Sequence, residues 1–123
     1  YMSQNARAYD MLKNRPERVA GLKRLEDASN GTNVHYIPKT LLNDSRLLRK
    51  VIRDGDIIAI VTSKYNLDTT HLGFAVWHKD GIHLLNASSL KRNGCRVVEP
   101  AESFFHYMMS RPSSIGIRVA RIK

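Results

Sequence analysis

His71 and Asn86 are the residues whose types and spacing point most directly to chemistry. They lie in two alternating apolar stretches, Thr69 to Trp77 and Gly81 to Ser88, and the intervening Lys79-Asp80-Gly81 is hairpin-turn chemistry. If the turn pairs Trp77 with Ile82, His71 sits opposite Ser88 and Gly73 opposite Asn86. His71 and Asn86 then share a face as diagonal neighbours, with backbones about 7 to 8 Å apart, a gap that an imidazole and a carboxamide can bridge. Pairing Lys79 with Ile82 instead keeps the common face but moves Asn86 one step further away. Gly73 and Ala75, between them on that face, are small and leave room for another element. An amide oxygen that accepts one ring N–H fixes the tautomer and orientation of a histidine, which frees the other nitrogen to act as a base. The same spacing also suits a strand-end histidine in an ordinary hydrogen bond.

A base of this kind needs a nucleophile, and Cys95 is the only thiol. It follows Asn93-Gly94, a tight turn, and leads into Arg96-Val97-Val98, which reads as a strand from Cys95 to Glu99. Reactive cysteines are activated at helix N-termini or beside cations. A strand position suits a small, partly buried hydrophobe better. His78 and His83 flank the hairpin turn, but two histidines without a third ligand do not make a zinc site, so neither metal nor cofactor is expected.

The elements that must position these residues divide into two stretches. Residues 1–54 read as mainly helical. Ala8, Met11 and Leu12 form a short first stretch. Pro16 suits the first turn of a second helix, with Val19, Leu22, Leu25 and Ala28 on one face and Ser29-Asn30-Gly31 as its stop. Tyr36-Ile37-Pro38 is an extended connector. A third helix is expected from about Lys39 to Ile52, ended by Asp54-Gly55. Residues 55–123 read as mainly β, with strands at Ile57 to Thr62, His71 to His78, Ile82 to Ala87 and Ser114 to Ile122, the last alternating at Ile115, Ile117 and Val119. Pro100 opens a short helix near 100–110 carrying Phe104, Phe105, Tyr107 and Met108. Helices first and an antiparallel sheet second make an α+β fold.

Composition bounds the function. The chain has 123 residues and a formal charge of +9, one domain's worth of sequence. At this length a core buries roughly two thirds of the unfolded chain's surface, without help from disulfides or metal. The charge is spread evenly over both halves, aromatics are only 7%, and the densest basic cluster is Arg46, Arg49, Lys50 and Arg53. That is a poor match to the basic stripe and stacking aromatics of a nucleic-acid binder. Apolar runs such as Ile57 to Val61 fall far short of the ~20 residues of a membrane span. No basic-then-apolar leader opens the chain. Its first residue is Tyr1, which fits either a removed upstream segment or a longer parent protein.

Gly55-Asp56-Ile57-Ile58, then His71-Leu72-Gly73-Phe74-Ala75-Val76, then Leu84-Leu85-Asn86-Ala87-Ser88-Ser89 resembles the second half of the NlpC-type, papain-like cell-wall cysteine hydrolases. The closer resemblance is to the N-acetylmuramoyl-L-alanine amidase-like branch, carried by Tyr1-Met2-Ser3, Tyr36-Ile37-Pro38, Leu67-Asp68-Thr69-Thr70-His71, the Leu84 to Ser89 run and Gly116-Ile117-Arg118-Val119. This resemblance implies a papain-like α+β fold with a partly barrel-like antiparallel sheet, of which 1–123 is the C-terminal part of one catalytic domain. It implies a Cys-His-Asn triad with His71 as general base, Asn86 as its orienting residue, and a cysteine opening a helix upstream of Tyr1. Asp68, Thr69 and Thr70 are expected to line the cleft, with Tyr36 as a further wall. The implied substrate is the amide between the lactyl group of N-acetylmuramic acid and L-alanine in a murein peptide, and the implied location is the periplasm or cell envelope. Two other readings stand beside it. A non-catalytic papain-like domain would bind peptidoglycan or a protein partner, and a basic nucleic-acid module would bind oligonucleotides in a salt-sensitive way.

Overall fold

The computed structural model describes residues 1–91 and 94–123, which divide into two compact units, Tyr1–Val34 and His35–Lys123. In the first unit Pro16 opens helix α1 (Pro16–Ser29), where its missing N–H costs nothing, and Glu17 sits in the first turn, where the helix dipole favours an anion. Asn30 turns extended and Gly31 takes φ +78°, so the helix ends at the expected stop. The apolar set does not share one face, however. Val19 and Leu22 are half-buried, whereas Leu25 and Ala28 are exposed. A spacing of three falls short of the ~3.6-residue turn, so the stripe drifts about half a turn around the axis between Val19 and Ala28. The Ala8, Met11, Leu12 stretch is a 3-10 turn at Ala6–Ala8 followed by further turns, interrupted at Asn14, which takes φ +57°. The Glu26 carboxylate accepts the amides of Met2 and Ser3 at 2.8 and 3.2 Å and the Ser3 hydroxyl at 2.5 Å. These donors, the hydroxyl foremost, pull its pKa down to about 2.

The second unit is a six-stranded antiparallel sheet whose core is shared by two short helices. Its strands are β1 (Ile37–Pro38), β2 (Ile57–Thr62), β3 (Thr69–His78), β4 (Gly81–Ala87), β5 (Val97–Val98) and β6 (Ser114–Ala120), and they are arranged β1-β6-β2-β3-β4-β5. The order leaves β1 and β5 as edges, so the sheet is open where a partly barrel-like one was expected. The helix expected over Lys39 to Ile52 is broken into a 3-10 turn at Lys39–Leu41 and the one-turn α2 (Ser45–Leu48). Asp44 is the reason. Its carboxylate accepts the Leu47 amide at 3.0 Å as an N-cap, a role short polar residues prefer to a place inside a helix. Of the apolar positions behind that expectation, Leu42 and Leu48 enter the core together with Ile52, whereas Leu41, Leu47 and Val51 are exposed. Helix α3 (Phe104–Met109) starts at the Ser103 cap, later than Pro100 suggests, and buries Phe104 and Met108 against Ile60, Leu84 and Ile117. No helix among the described residues is long and apolar enough to cross a membrane.

Asp56 at the start of β2 pins the end of β6. It accepts Arg121 Nε at 2.9 Å and Nη2 at 2.7 Å, together with the Arg53 amide at 2.8 Å. The guanidinium holds its carboxyl below the usual carboxylate range. A lowered folded-state pKa means that the pair's contribution is complete above the unfolded carboxylate value near ~4 and is lost as pH falls through the folded value. Asp56→Asn is therefore expected to lower the urea midpoint at pH 7 by about 1 M. Below about pH 4 the gap between variant and wild type should close.

Candidate active site

Two irregularities shape the end of the sheet where His71 lies. Ile60 pairs with His71 but Val61 with Thr69, so Thr70 is an extra residue bulged out of β3 just before the histidine. A matching shift lies between β2 and β6, where Val61 pairs with Gly116 and Thr62 with Ser114. That shift ends the expected alternation at Ile115 and turns Ser114 inward, buried, in its place. Bulges re-aim side chains, and both of these sit beside the same cavity.

The hairpin takes the Trp77–Ile82 pairing, with His78 opposite Gly81. This register brings His71 Nε2 to 2.8 Å from Asn86 Oδ1. The amide orientation follows from its other end, because Nδ2 donates to the Leu84 carbonyl at 3.2 Å and the oxygen must then face the ring. An amide oxygen only accepts, so Nε2 carries the proton and the lone pair of the neutral ring lies on Nδ1. Nδ1 makes no hydrogen bond among the described residues. Asn86 is buried, held between β3 and its partner Val98 on β5, while His71 is half-buried. The room expected over Gly73 is occupied by Leu84, whose Cδ1 would stand 2.6 Å from a β-carbon there.

A cavity of about 360 Å³ opens onto the pair, lined by Thr70, Ser88, Ser89, Tyr107, Ser113 and Ser114 among others. Lys64 and Arg111 also line it, and none of the described residues that line it is acidic. Arg111 is held in place: its guanidinium carbon lies 3.5 Å over the Tyr107 ring, and Nη1 donates to the Tyr107 carbonyl at 2.8 Å and to Ser110 Oγ at 3.0 Å. A second cavity of about 500 Å³ shares Asn86, Ser88, Leu90, Tyr107 and Arg111 with the first and continues past Val98, Glu99 and Glu102.

Of the residues expected to line the cleft, Thr70 does so. Asp68 and Thr69 do not. Asp68 is exposed and contributes its backbone carbonyl to the Thr62 amide, and Thr69 pairs with Val61. Tyr36 lies against Gly116 at the β1 edge, away from the cavity. Cys95 is neither in a strand nor partly buried. It is exposed, at φ +51°, with Sγ donating to the Ser89 carbonyl at 3.4 Å, and it does not line the cavity. The strand expected there shrinks to Val97–Val98, and Asn93 of the expected Asn93-Gly94 turn lies outside the described residues. Tyr107 reads in the sequence only as an apolar residue of the short helix, and Arg111 not at all. The only local signal was a basic residue just past a short helix and before Pro112, which does not tell which cavity the helix overlooks.

The N-acetylmuramoyl-L-alanine amidase-like (AmiA-like) family matches residues 1–117. Among solved structures, an N-acetylmuramoyl-L-alanine amidase from Bacteroides uniformis is 37% identical, with a TM-score of 0.83, over 100% of this chain and 50% of its own. A Bacteroides fragilis protein named as a xylanase is 40% identical, with a TM-score of 0.82, over 99% of this chain and 51% of its own. The chain thus spans about half the length of each. None of the curated proteins matches it.

Proposed function

This chain belongs to the N-acetylmuramoyl-L-alanine amidase-like family, and from that premise we propose that it supplies the base-bearing part of a cysteine amidase of the papain-like, NlpC type. The observation that carries the reading is the 2.8 Å contact between His71 and Asn86. In the proposed reaction a thiol from sequence outside these 123 residues gives its proton to His71 Nδ1, and the thiolate attacks the lactyl carbonyl of N-acetylmuramic acid. The imidazolium returns the proton to the departing amine of L-alanine, leaving a thioester. Water, deprotonated by the same nitrogen, releases the muramic acid and restores the thiol. Asn86 keeps the ring oriented and adds no charge. A murein substrate places the work in the periplasm or cell envelope.

The xylanase name of the Bacteroides fragilis relative raises a second chemistry. Glycoside hydrolysis generally needs two carboxyl groups flanking the scissile bond. Among the described residues the nearby carboxylates, Glu99 and Glu102, line only the adjoining cavity, whereas the His71–Asn86 pair meets the first cavity directly, which favours amide over glycoside cleavage. The test is to incubate the full-length protein with an N-acetylmuramoyl tripeptide and identify the product. A new L-alanyl amine, blocked by prior alkylation of the enzyme with iodoacetamide, is expected. Cleavage of a sugar linkage would overturn the amidase reading, and binding without cleavage would favour a non-catalytic peptidoglycan domain.

Arg111 carries a prediction of its own. Murein peptides bear carboxylates, and a guanidinium fixed by stacking can hold one bidentately. Arg111→Ala is expected to raise KM about tenfold with little change in kcat, since an anchor remote from the scissile bond contributes equally to ground and transition states. The same comparison on a substrate with its peptide carboxylates amidated should show no difference.

A further inference from the structure

At the turn end of the β3–β4 hairpin, about 23 Å along the strand from His71, a second cluster of ligating side chains comes together. His78 closes β3, His83 lies on β4, and Glu99 follows β5. One ligating atom from each lies within 4.8 Å of the others, and the two imidazole rings stand 4.7 Å apart with their planes at 79°. His78 Nε2 faces a Glu99 carboxylate oxygen. The third ligand missing from the sequence is thus delivered by the pairing of β5 with β4, which brings the chain after Val98 back toward the hairpin.

His83 shows what the cluster is suited to hold. It is buried, and its Nδ1 donates to the Pro100 carbonyl at 3.0 Å. A carbonyl only accepts, so the neutral ring keeps its lone pair on Nε2, which faces the Asp80 carboxylate oxygens at 2.9 and 3.0 Å. Nε2 is thus the nitrogen available to a cation, with the Asp80 carboxylate beside it. An imidazole whose second nitrogen is tied to a backbone carbonyl is the usual way a protein orients a metal-ligating histidine. Two neutral imidazoles and two carboxylates also carry the two negative charges that one divalent ion neutralises.

We propose that His78, His83 and Glu99 form a binding site for a divalent transition-metal ion of the zinc type, with the Asp80 carboxylate or water in the fourth position. Two imidazoles favour zinc, nickel or copper over calcium or magnesium, which take oxygen ligands. The surrounding cavity, also lined by Lys79, Pro100 and Ala101, shares no residue with the one that holds His71 and meets the adjoining cavity at Glu99, Pro100 and Ala101. The ion fastens the segment after β5 to the hairpin, and β5 is the strand whose Val98 pairs with Asn86.

The test is calorimetric titration of EDTA-treated, dialysed full-length protein with zinc chloride, with magnesium chloride as control, alongside thermal unfolding and the visible spectrum with cobalt(II). Saturable binding at one site in the second unit is expected, with a Tm rise of about 5 °C in zinc and none in magnesium, and a tetrahedral cobalt spectrum. His78→Gln and Glu99→Gln alter exposed side chains and leave the core intact. Each should weaken zinc binding at least ~10-fold and remove the Tm rise. Absence of saturable zinc binding, or unchanged affinity in both variants, would overturn the proposal. The His78→Gln result is independent of the amidase reading, because His78 lines neither cavity that Asn86 and Arg111 share.

Discussion

His71→Ala is expected to lower kcat/KM for release of L-alanyl peptide by at least ~10³-fold while leaving the urea midpoint within experimental error. The size follows from the two proton transfers assigned to one nitrogen, since without it both the thiol and the leaving amine must rely on solvent. The fold should tolerate the change because the ring is half-buried beside a cavity in which water can take up the Asn86 oxygen, and among the described residues its only side-chain partner is that amide. Asn86→Ala separates orientation from proton transfer. It keeps the base but frees the ring to rotate, so a smaller loss of about 10- to 100-fold is expected, concentrated in kcat. Peptide release by His71→Ala at the wild-type rate would remove the histidine from the mechanism, and an Asn86 variant as inactive as the His71 variant would mean that the amide does more than orient.

Gly116→Ala should produce the largest loss of stability among small substitutions in the sheet. A β-carbon there falls far inside contact with the Ile37 carbonyl oxygen and the Tyr36 ring, whose Cε2 would be 2.9 Å away. A side chain can rotate out of such a clash, but a backbone carbonyl in a paired strand cannot. Relief requires β1 to move off β6, which breaks the Ile37–Ile117 and Pro38–Gly116 pairing and withdraws Ile37 from the core. A cost of about 3 kcal/mol is expected, seen as a Tm lower by roughly 10 °C. Gly21→Ala is the opposite case. Nothing lies within 4 Å of its added β-carbon, and it sits inside α1, so helix stability should rise by about 0.5–1 kcal/mol. Thermal and urea unfolding of the two variants followed by circular dichroism check both signs.

What could be read from the sequence was local in origin. Pro16 and Gly31 bracket α1 because backbone restrictions act within one or two residues. The Lys79-Asp80-Gly81 turn sets the hairpin register, and the register alone puts His71 and Asn86 on one face, because side chains alternate strictly along a strand. The helix expected over Lys39 to Ile52 is broken for a local reason, the N-cap preference of Asp44, which outcompetes an apolar spacing that turns can also satisfy. Cys95 is read from the apparent strand that follows it, but its positive φ keeps it out of β5, and no local pattern says that Tyr36 packs against Gly116.

The sequence by itself therefore determined the α+β order, the hairpin and the dyad it carries, all through interactions a few residues long. Only the tertiary structure decided what surrounds that dyad. The β2–β6 bulge turns Ser114 inward, α3 sets the Tyr107–Arg111 stack over the cavity, and β5 returns Glu99 to the histidines at the turn. The bulge and the return of Glu99 join residues far apart in the chain, and the cavity over which the local Tyr107–Arg111 stack lies depends on how the core packs as a whole, which no local pattern encodes.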